Sequence, residues 1–458
     1  MSQDQSKTAG AFSSMVNFPD HKKRSASGQI DRVILPAVNG NSFFCGQSVD
    51  LVIPGNSQSG FMDAHNSYLR FKINYNRTAN SAGHRLRLPP LGVYNCIKKI
   101  ELLCGGVSIS SIDEYAKLAC LVLDADQSIS HRNGSSSVQY GMGSSDDADK
   151  NVGAELDGGA TGTGLQETQL CLSLLMTPLF GSSKYIPLFG DELRLRITLN
   201  DFSSSFISGT RGTTQANDTT FAGLTSSVTF SPFEMVMYKV TMDDVPLAMI
   251  KANAGDQYTL ILNDYTNSKG QLAAGDTSSV FNTGFSYTSL SRVFFAFYPA
   301  LTDERRRIAD SERHKITRNV TDYCFNVSGK NIPSQKLQGD AATVLTENKC
   351  SLRLLGDFQH DTAIDATNFN IATYTDDVGG RAADKTGTRS YDIDLESLKN
   401  YSDENGLYSG ISTIGKTTSV QVNYSGGGAC ECNMWAEHQI GLSLDMSPTG
   451  SRTWKVIV

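Results

Sequence analysis

Two successive β-sandwiches, with long surface loops and few short helices, are the all-β fold class that this 458-residue sequence predicts. Three observations carry the expectation. Short runs with period-2 alternation recur along the whole chain. Segments rich in Gly, Ser, Asn and Pro separate nearly all of them. The two halves also echo each other at a constant offset.

The elements follow in order. DRVILP is the first β run, and Gly40 to Tyr75, GNSFFCGQSVDLVIPGNSQSGFMDAHNSYLRFKINY, sets two more around a loop of Pro, Gly, Asn and Ser. Further strands are read in CIKKIELL, ELRLRITLND, FEMVMYKVTM, QYTLILND, SRVFFAFYP, TDYCFNV, TSVQVNY and WKVIV. In ELRLRITL, Leu193, Leu195 and Ile197 fall on one face and Arg194 and Arg196 on the other, the pattern of a strand with one buried and one wet face. Only Ser111 to Asp124 reads as helix: Ser111 as cap, Glu114 completing a capping box, and Tyr115, Leu118, Leu121 and Val122 at helical spacing. A polar stretch of about 124–168 follows, too poor in apolar residues to build a core and so expected as a surface loop. IELLCGGVSI (Ile100 to Ile109) lines up with YCFNVSGKNI (Tyr323 to Ile332), each a strand, a glycine turn and a strand, 223 residues apart. An offset near half the chain places the join between sandwiches near Met242 to Asp256, so that 28–242 and 250–458 are the expected domains and 1–27 a flexible N-terminal arm.

Composition narrows the function. A net charge of −7 and a pI of about 5.6 provide no global basic field for a nucleic-acid backbone. The N-terminus lacks the apolar run of a signal peptide and no window reaches the length of an apolar membrane span, which predicts a chain that is not secreted. Nine dispersed cysteines, most of them in strand-like runs, are expected to be reduced core thiols. The sequons at Asn319 and Asn326 are then incidental.

The chemical motifs are weak. GISTIGKT, Gly410 to Thr417, satisfies the phosphate-loop spelling, but that chemistry needs a helix after the loop, and here Val420, Val422 and Tyr424 alternate as a strand. Cys430, Cys432 and His438 provide three donors without a second ligand pair at zinc spacing, and a strand edge bearing two thiols is the expected reading. The seven histidines form neither H-x-H nor H-E-x-x-H, and no G-x-S-x-G occurs, so no catalytic residue, metal site or cofactor is assigned. Two basic runs remain. His21 to Arg24 lies in the N-terminal arm and Glu304 to Arg307 in a loop; the first could reach an acidic neighbour or a membrane surface.

The opening stretch, together with GVYNCIKKIELLCGGVSISSIDEYAKLACLVLD, SSKYIPLFGDELRLRITLND and ITRNVTDYCFNVSGKNIP, resembles double jelly-roll major capsid proteins, particularly those of Polinton-like viruses and virophages. These segments occur in family order over about Asp31 to Pro333, and the last third matches in strand rhythm. The resemblance implies two consecutive jelly rolls, no enzymatic activity, and a homotrimer whose six sandwiches form a pseudo-hexagonal tile of an icosahedral shell. It implies synthesis in the host cell interior and a place in the virion capsid. The implied partners are neighbouring capsomers, penton and minor capsid proteins and an internal membrane, without specific nucleic-acid binding. In that setting the arm residues Phe12, Phe18, Lys22, Lys23 and Arg24 would face an adjacent capsomer or the membrane. The alternative from another class is a carbohydrate-binding or adhesive β-sandwich protein, for which the two tryptophans, Trp435 and Trp454, provide little stacking surface.

Overall fold

The computed structural model describes residues 28–57, 60–77, 84–143, 156, 164–174, 176–182, 184–210, 228–244, 247–248, 257–300, 312, 314–352, 354, 362, 364, 366–371, 387–396, 410–445 and 453–457. In the first half the strands are β1 (Gly28–Pro36), β2 (Ser48–Ile53), β3 (Gly60–Arg77), β4 (His84–Arg87), β5 (Ile97–Cys104), β6 (Val107–Asp113), β7 (Gly164–Leu172), β8 (Ile186–Pro187), β9 (Leu193–Leu199), β10 (Ile207–Thr210) and β11 (Val228–Met242). In the second they are β12 (Gln257–Leu272), β13 (Ser278–Asn282), β14 (Leu290–Pro299), β15 (Val320–Val327), β16 (Lys330–Gln338), β17 (Tyr391–Asp394), β18 (Thr418–Tyr424), β19 (Cys430–Asp445) and β20 (Lys455–Ile457).

Among the described residues every strand pairs within its own half. Sheet I has the order β1-β11-β3-β7 with β8 beside β3, and sheet II the order β2-β9-β5-β6. Sheet III runs β12-β19-β14-β17 with β20 beside β19, and sheet IV runs β13-β18-β15-β16. With the short β4, β8 and β10 set aside, the first half pairs its outermost strands and works inward: β1 with β11, β2 with β9, β3 with β7, β5 with β6. The second half repeats this as β12 with β19, β13 with β18, β14 with β17 and β15 with β16. A long antiparallel hairpin wound up on itself produces that nesting, which is the jelly roll.

The sequence echo is the innermost hairpin of each roll. β5 and β15 are 223 residues apart at both ends, Ile97 to Val320 and Cys104 to Val327. Both hairpins turn on two residues with positive φ, Gly105 (56°) with Gly106 (83°), and Ser328 (50°) with Gly329 (85°), as the right-handed strand twist requires of a two-residue connection.

Burial explains the strand sequences. On β9, Leu193, Leu195, Ile197 and Leu199 are inside while Arg194, Arg196 and Thr198 are half-exposed. β14, LSRVFFAFYP, is apolar without alternation from Val293 onward because both faces are covered. Val293, Phe295 and Phe297 enter the second roll's own core, whereas Phe294, Ala296 and Tyr298 join the core that fills the first roll. Sheet III is therefore shared between the two rolls.

Three expectations are corrected. The helix α1 spans Tyr115–Asp126, and Ser111 belongs to β6, paired with Glu101. Glu114 itself is the residue before the first turn, in the left-handed region with φ 53°, so the capping box does not form. The stretch expected as a surface loop begins with two more short helices, α2 (Ile129–Asn133) and α3 (Ser135–Tyr140), and buries Arg132, Ser136, Met142 and Leu156. Residues 144–155 and 157–163 of it lie outside the described residues. Finally, β19 is a central strand between β12 and β14, so Cys430 and Cys432 point into the second core rather than standing on an edge.

Candidate functional site

The arm residues Phe12, Phe18, Lys22, Lys23 and Arg24 lie outside the described residues, as does the run Glu304 to Arg307. What the structure brings together instead is a charged seam between the rolls. α1 lies on sheet III through its Lys117, which sits 3.2 Å from both Glu114 and Glu431 and 5.0 Å above the Tyr298 ring. Lys269 of β12 pairs with Glu114 from the other side. At the end of α1, Asp124 accepts Arg132 at 2.8 Å and Lys315 at 2.9 Å, and all three are buried. Charges so placed compensate one another where single ones would be costly. The sequence signal for this seam is faint: Lys117 and Asp124 stand two helical turns apart, with the buried Cys120 between them on the same side.

The C-terminal segment closes the seam a second time. β20 pairs with β19 at Gly441–Ser443, while Trp454 enters the first core and Thr453 Oγ1 donates to Asp191 at 2.6 Å.

The solvent face of sheet II carries a self-neutralising ladder. Asp50, Arg196, Glu101 and Ser111 stand opposite one another across four strands, and Arg196 Nε donates to Asp50 at 2.9 Å. Ion pairs of this exposed kind contribute little stability and keep the face wet. By contrast β1, an edge strand of sheet I, leaves Ile30 and Ile34 exposed, and the segment after it leaves Val38 and Phe44 exposed. An apolar strip along a sheet edge that is unpaired among the described residues is the kind of surface that a protein partner covers.

The chemical motifs are resolved by their surroundings. Gly410 to Thr417 is a loop that runs straight into β18 (Thr418–Tyr424), and Lys416 Nζ donates back to the Ser412 carbonyl at 2.7 Å. His438 is stacked on Tyr287 at 3.6 Å, and its Nε2 lies 3.0 Å from Thr266 Oγ1. Among the described residues no group of His, Cys, Asp and Glu could hold a metal ion, and no helix is long and apolar enough to cross a membrane. None of the nine cysteines forms a disulfide.

No protein-family model matches the sequence, and no curated protein does. Solved structures do match. A chain of the Sputnik virophage superposes with a TM-score of 0.60 at 11% identity, covering 95% of this chain and 89% of its own. The Faustovirus major capsid protein gives 0.57 at 8% identity, with 93% and 92% covered. The mavirus major capsid protein gives 0.50 at 9% identity, with 98% and 95% covered. The chain has the double jelly-roll fold. The family resemblance read from the sequence and the superpositions agree on that fold, and the superpositions extend it to the last third of the chain, where the sequence matched only in strand rhythm. In this double jelly-roll chain the seam joins the two rolls, while the strip at β1 is an exposed apolar surface and the ladder on sheet II a charged one.

Proposed function

We propose that the chain is a viral major capsid protein that works by self-assembly, as trimers presenting six sandwiches in a pseudo-hexagonal outline and tiling an icosahedral shell. The observation that carries this reading is a likeness in fold to capsid structures that runs over nearly the whole chain, both rolls included. A single sandwich would fit many unrelated binding modules. In this reading residues 28–242 and 250–458 are the two rolls. The arm 1–27 reaches inward, with Phe12 and Phe18 against an adjacent capsomer and Lys22, Lys23 and Arg24 on acidic side chains or anionic lipid. Penton and minor capsid proteins and an internal membrane are the further partners, the virion shell is the location, and the chain has no enzymatic role. Both tryptophans argue against a carbohydrate-binding protein, since Trp435 and Trp454 are buried and offer a sugar no platform.

Negative-stain imaging and light scattering of the purified chain test the proposal. Trimers and closed particles are expected. A monomer at high concentration, with no particles at any salt concentration, would overturn it.

A further inference from the structure

β6 of the first roll meets β12 of the second at the seam, and there Ser110 Oγ donates to Asp264 Oδ1 at 2.7 Å. The Tyr265 N–H donates to the same oxygen at 2.9 Å. Asp264 is 5% exposed and Ser110 6%. Among the described residues no cation is ion-paired with Asp264, and the cations on neighbouring strands are committed elsewhere: Lys269 to Glu114, and Arg292 to Glu437 and Asp392.

Among the described residues the other titratable groups around it bring no positive charge. His438, the cross-strand partner on β19, is held down to about 4 by burial and is neutral above that. Tyr265 beside it and Tyr287 over the His438 ring are both raised by burial and stay neutral. On β6, Asp113 is exposed and lies 3.5 Å from Lys99 of β5.

A carboxylate enclosed between two domains without a counter-charge either gives up its charge or strains the interface that encloses it. We propose that Asp264 is a proton-set latch on the seam: the two rolls close on each other at β6 and β12 when it is protonated and loosen there when it ionises. The direction follows from the environment. Burial pushes the Asp264 carboxyl from 3.8 up to about 6, against the two hydrogen bonds that favour its charged form. A folded value above the unfolded one means that the latch is at full strength below about 4, weakens as pH rises through about 6, and is level beyond that. His438 acts with the opposite sign between about 4 and 6.5, because its buried ring resists protonation. Asp392, raised by burial to about 6 within the second roll, acts with the same sign as Asp264. Global melting therefore sums all three, and the test must read the seam itself.

Hydrogen exchange of the β6 amides in the full chain, corrected for base catalysis, provides that reading, because β6 pairs with β5 and its opening leaves His438 in place between β12 and Tyr287. In the wild type, protection is expected to fall roughly tenfold for each pH unit between about 4 and 6. Asp264→Asn, uncharged and of the same shape, should be level across that window, whereas Asp392→Asn should keep the slope. A wild type that is already level, or a slope that survives in Asp264→Asn, overturns the latch. If Asp264→Asn does not fold, infrared spectra of Asp392→Asn, which lacks the other carboxyl raised to about 6, decide: a protonated carboxyl band that titrates near 6 supports the latch, and its absence refutes it. The measurement uses isolated chains, so its failure leaves the capsid reading untouched.

Discussion

Lys315 is wholly buried and meets Asp124 at 2.9 Å, with Arg132 on the other carboxylate oxygen. Taking the ammonium away removes one of two cations from that buried carboxylate and leaves it to Arg132, whereas a pair on the surface would hardly be missed. Lys315→Met keeps the volume of the side chain and is expected to lower stability by about 1–3 kcal/mol, seen as a lower denaturant midpoint with an unchanged far-ultraviolet spectrum before unfolding. The thiols make a second prediction at this scale. Burial pushes Cys45 up to about 12 and Cys430 up to about 11, and it raises Cys96, Cys104, Cys171, Cys324 and Cys432 as well. Few thiolates are then available in the folded chain. A disulfide reagent should find nine thiols per chain in denaturant and react slowly with the native protein; several missing thiols in denaturant would contradict the absence of disulfides.

Each roll depends on its innermost hairpin for register, and the two hairpins can be tested against each other. Gly106 and Gly329 hold φ of 83° and 85°, and an added Cβ at either would meet nothing within 4 Å. The cost of a side chain there is backbone conformation alone. Gly106→Ala and Gly329→Ala should each destabilise by about 1–2 kcal/mol, and by similar amounts; a much larger loss at one would show that the turns are not equivalent. Phe295 of β14, stacked on Tyr391 at 5.1 Å and edge-on to Tyr323, should cost about 3–5 kcal/mol on replacement by Ala. These elements also show what the sequence made legible. β9 was readable because one face is wet, and the β5–β6 hairpin because its glycine turn recurs. CECNMWAEHQIGLSLD was not read as the long central strand β19, since it serves two cores: Met434 and Ala436 enter one while Trp435, Ile440 and Leu442 enter the other, which erases simple alternation. Ser111 imitated a helix cap because three residues of β6 precede Glu114 with capping-box spelling, and strand pairing with Glu101 prevailed. The seam stayed hidden because little in the sequence marks Lys117, Asp124 and Lys315 for enclosure, and only the meeting of the two rolls brings them together.

Over the whole chain, the capsid proposal predicts that folding and assembly separate at residue 27. Removal of residues 1–26 is expected to leave the melting temperature unchanged and to abolish or sharply reduce particle formation. A truncated chain that cannot fold would move the boundary of the first roll, and one that assembles normally would leave the arm without a role. The sharing of sheet III has a mechanical counterpart. Phe294, Tyr298 and Trp435 belong to the first roll's core although their strands belong to the second, and β20 ties the chain's far end into the same sheet. The two rolls cannot be parted without tearing open the interior of the first. Under tension applied at the two termini, the chain should resist as one brittle body and give way in a single rupture rather than as two beads on a string, so that strain on a shell built from it would be relieved between molecules before it is relieved within one.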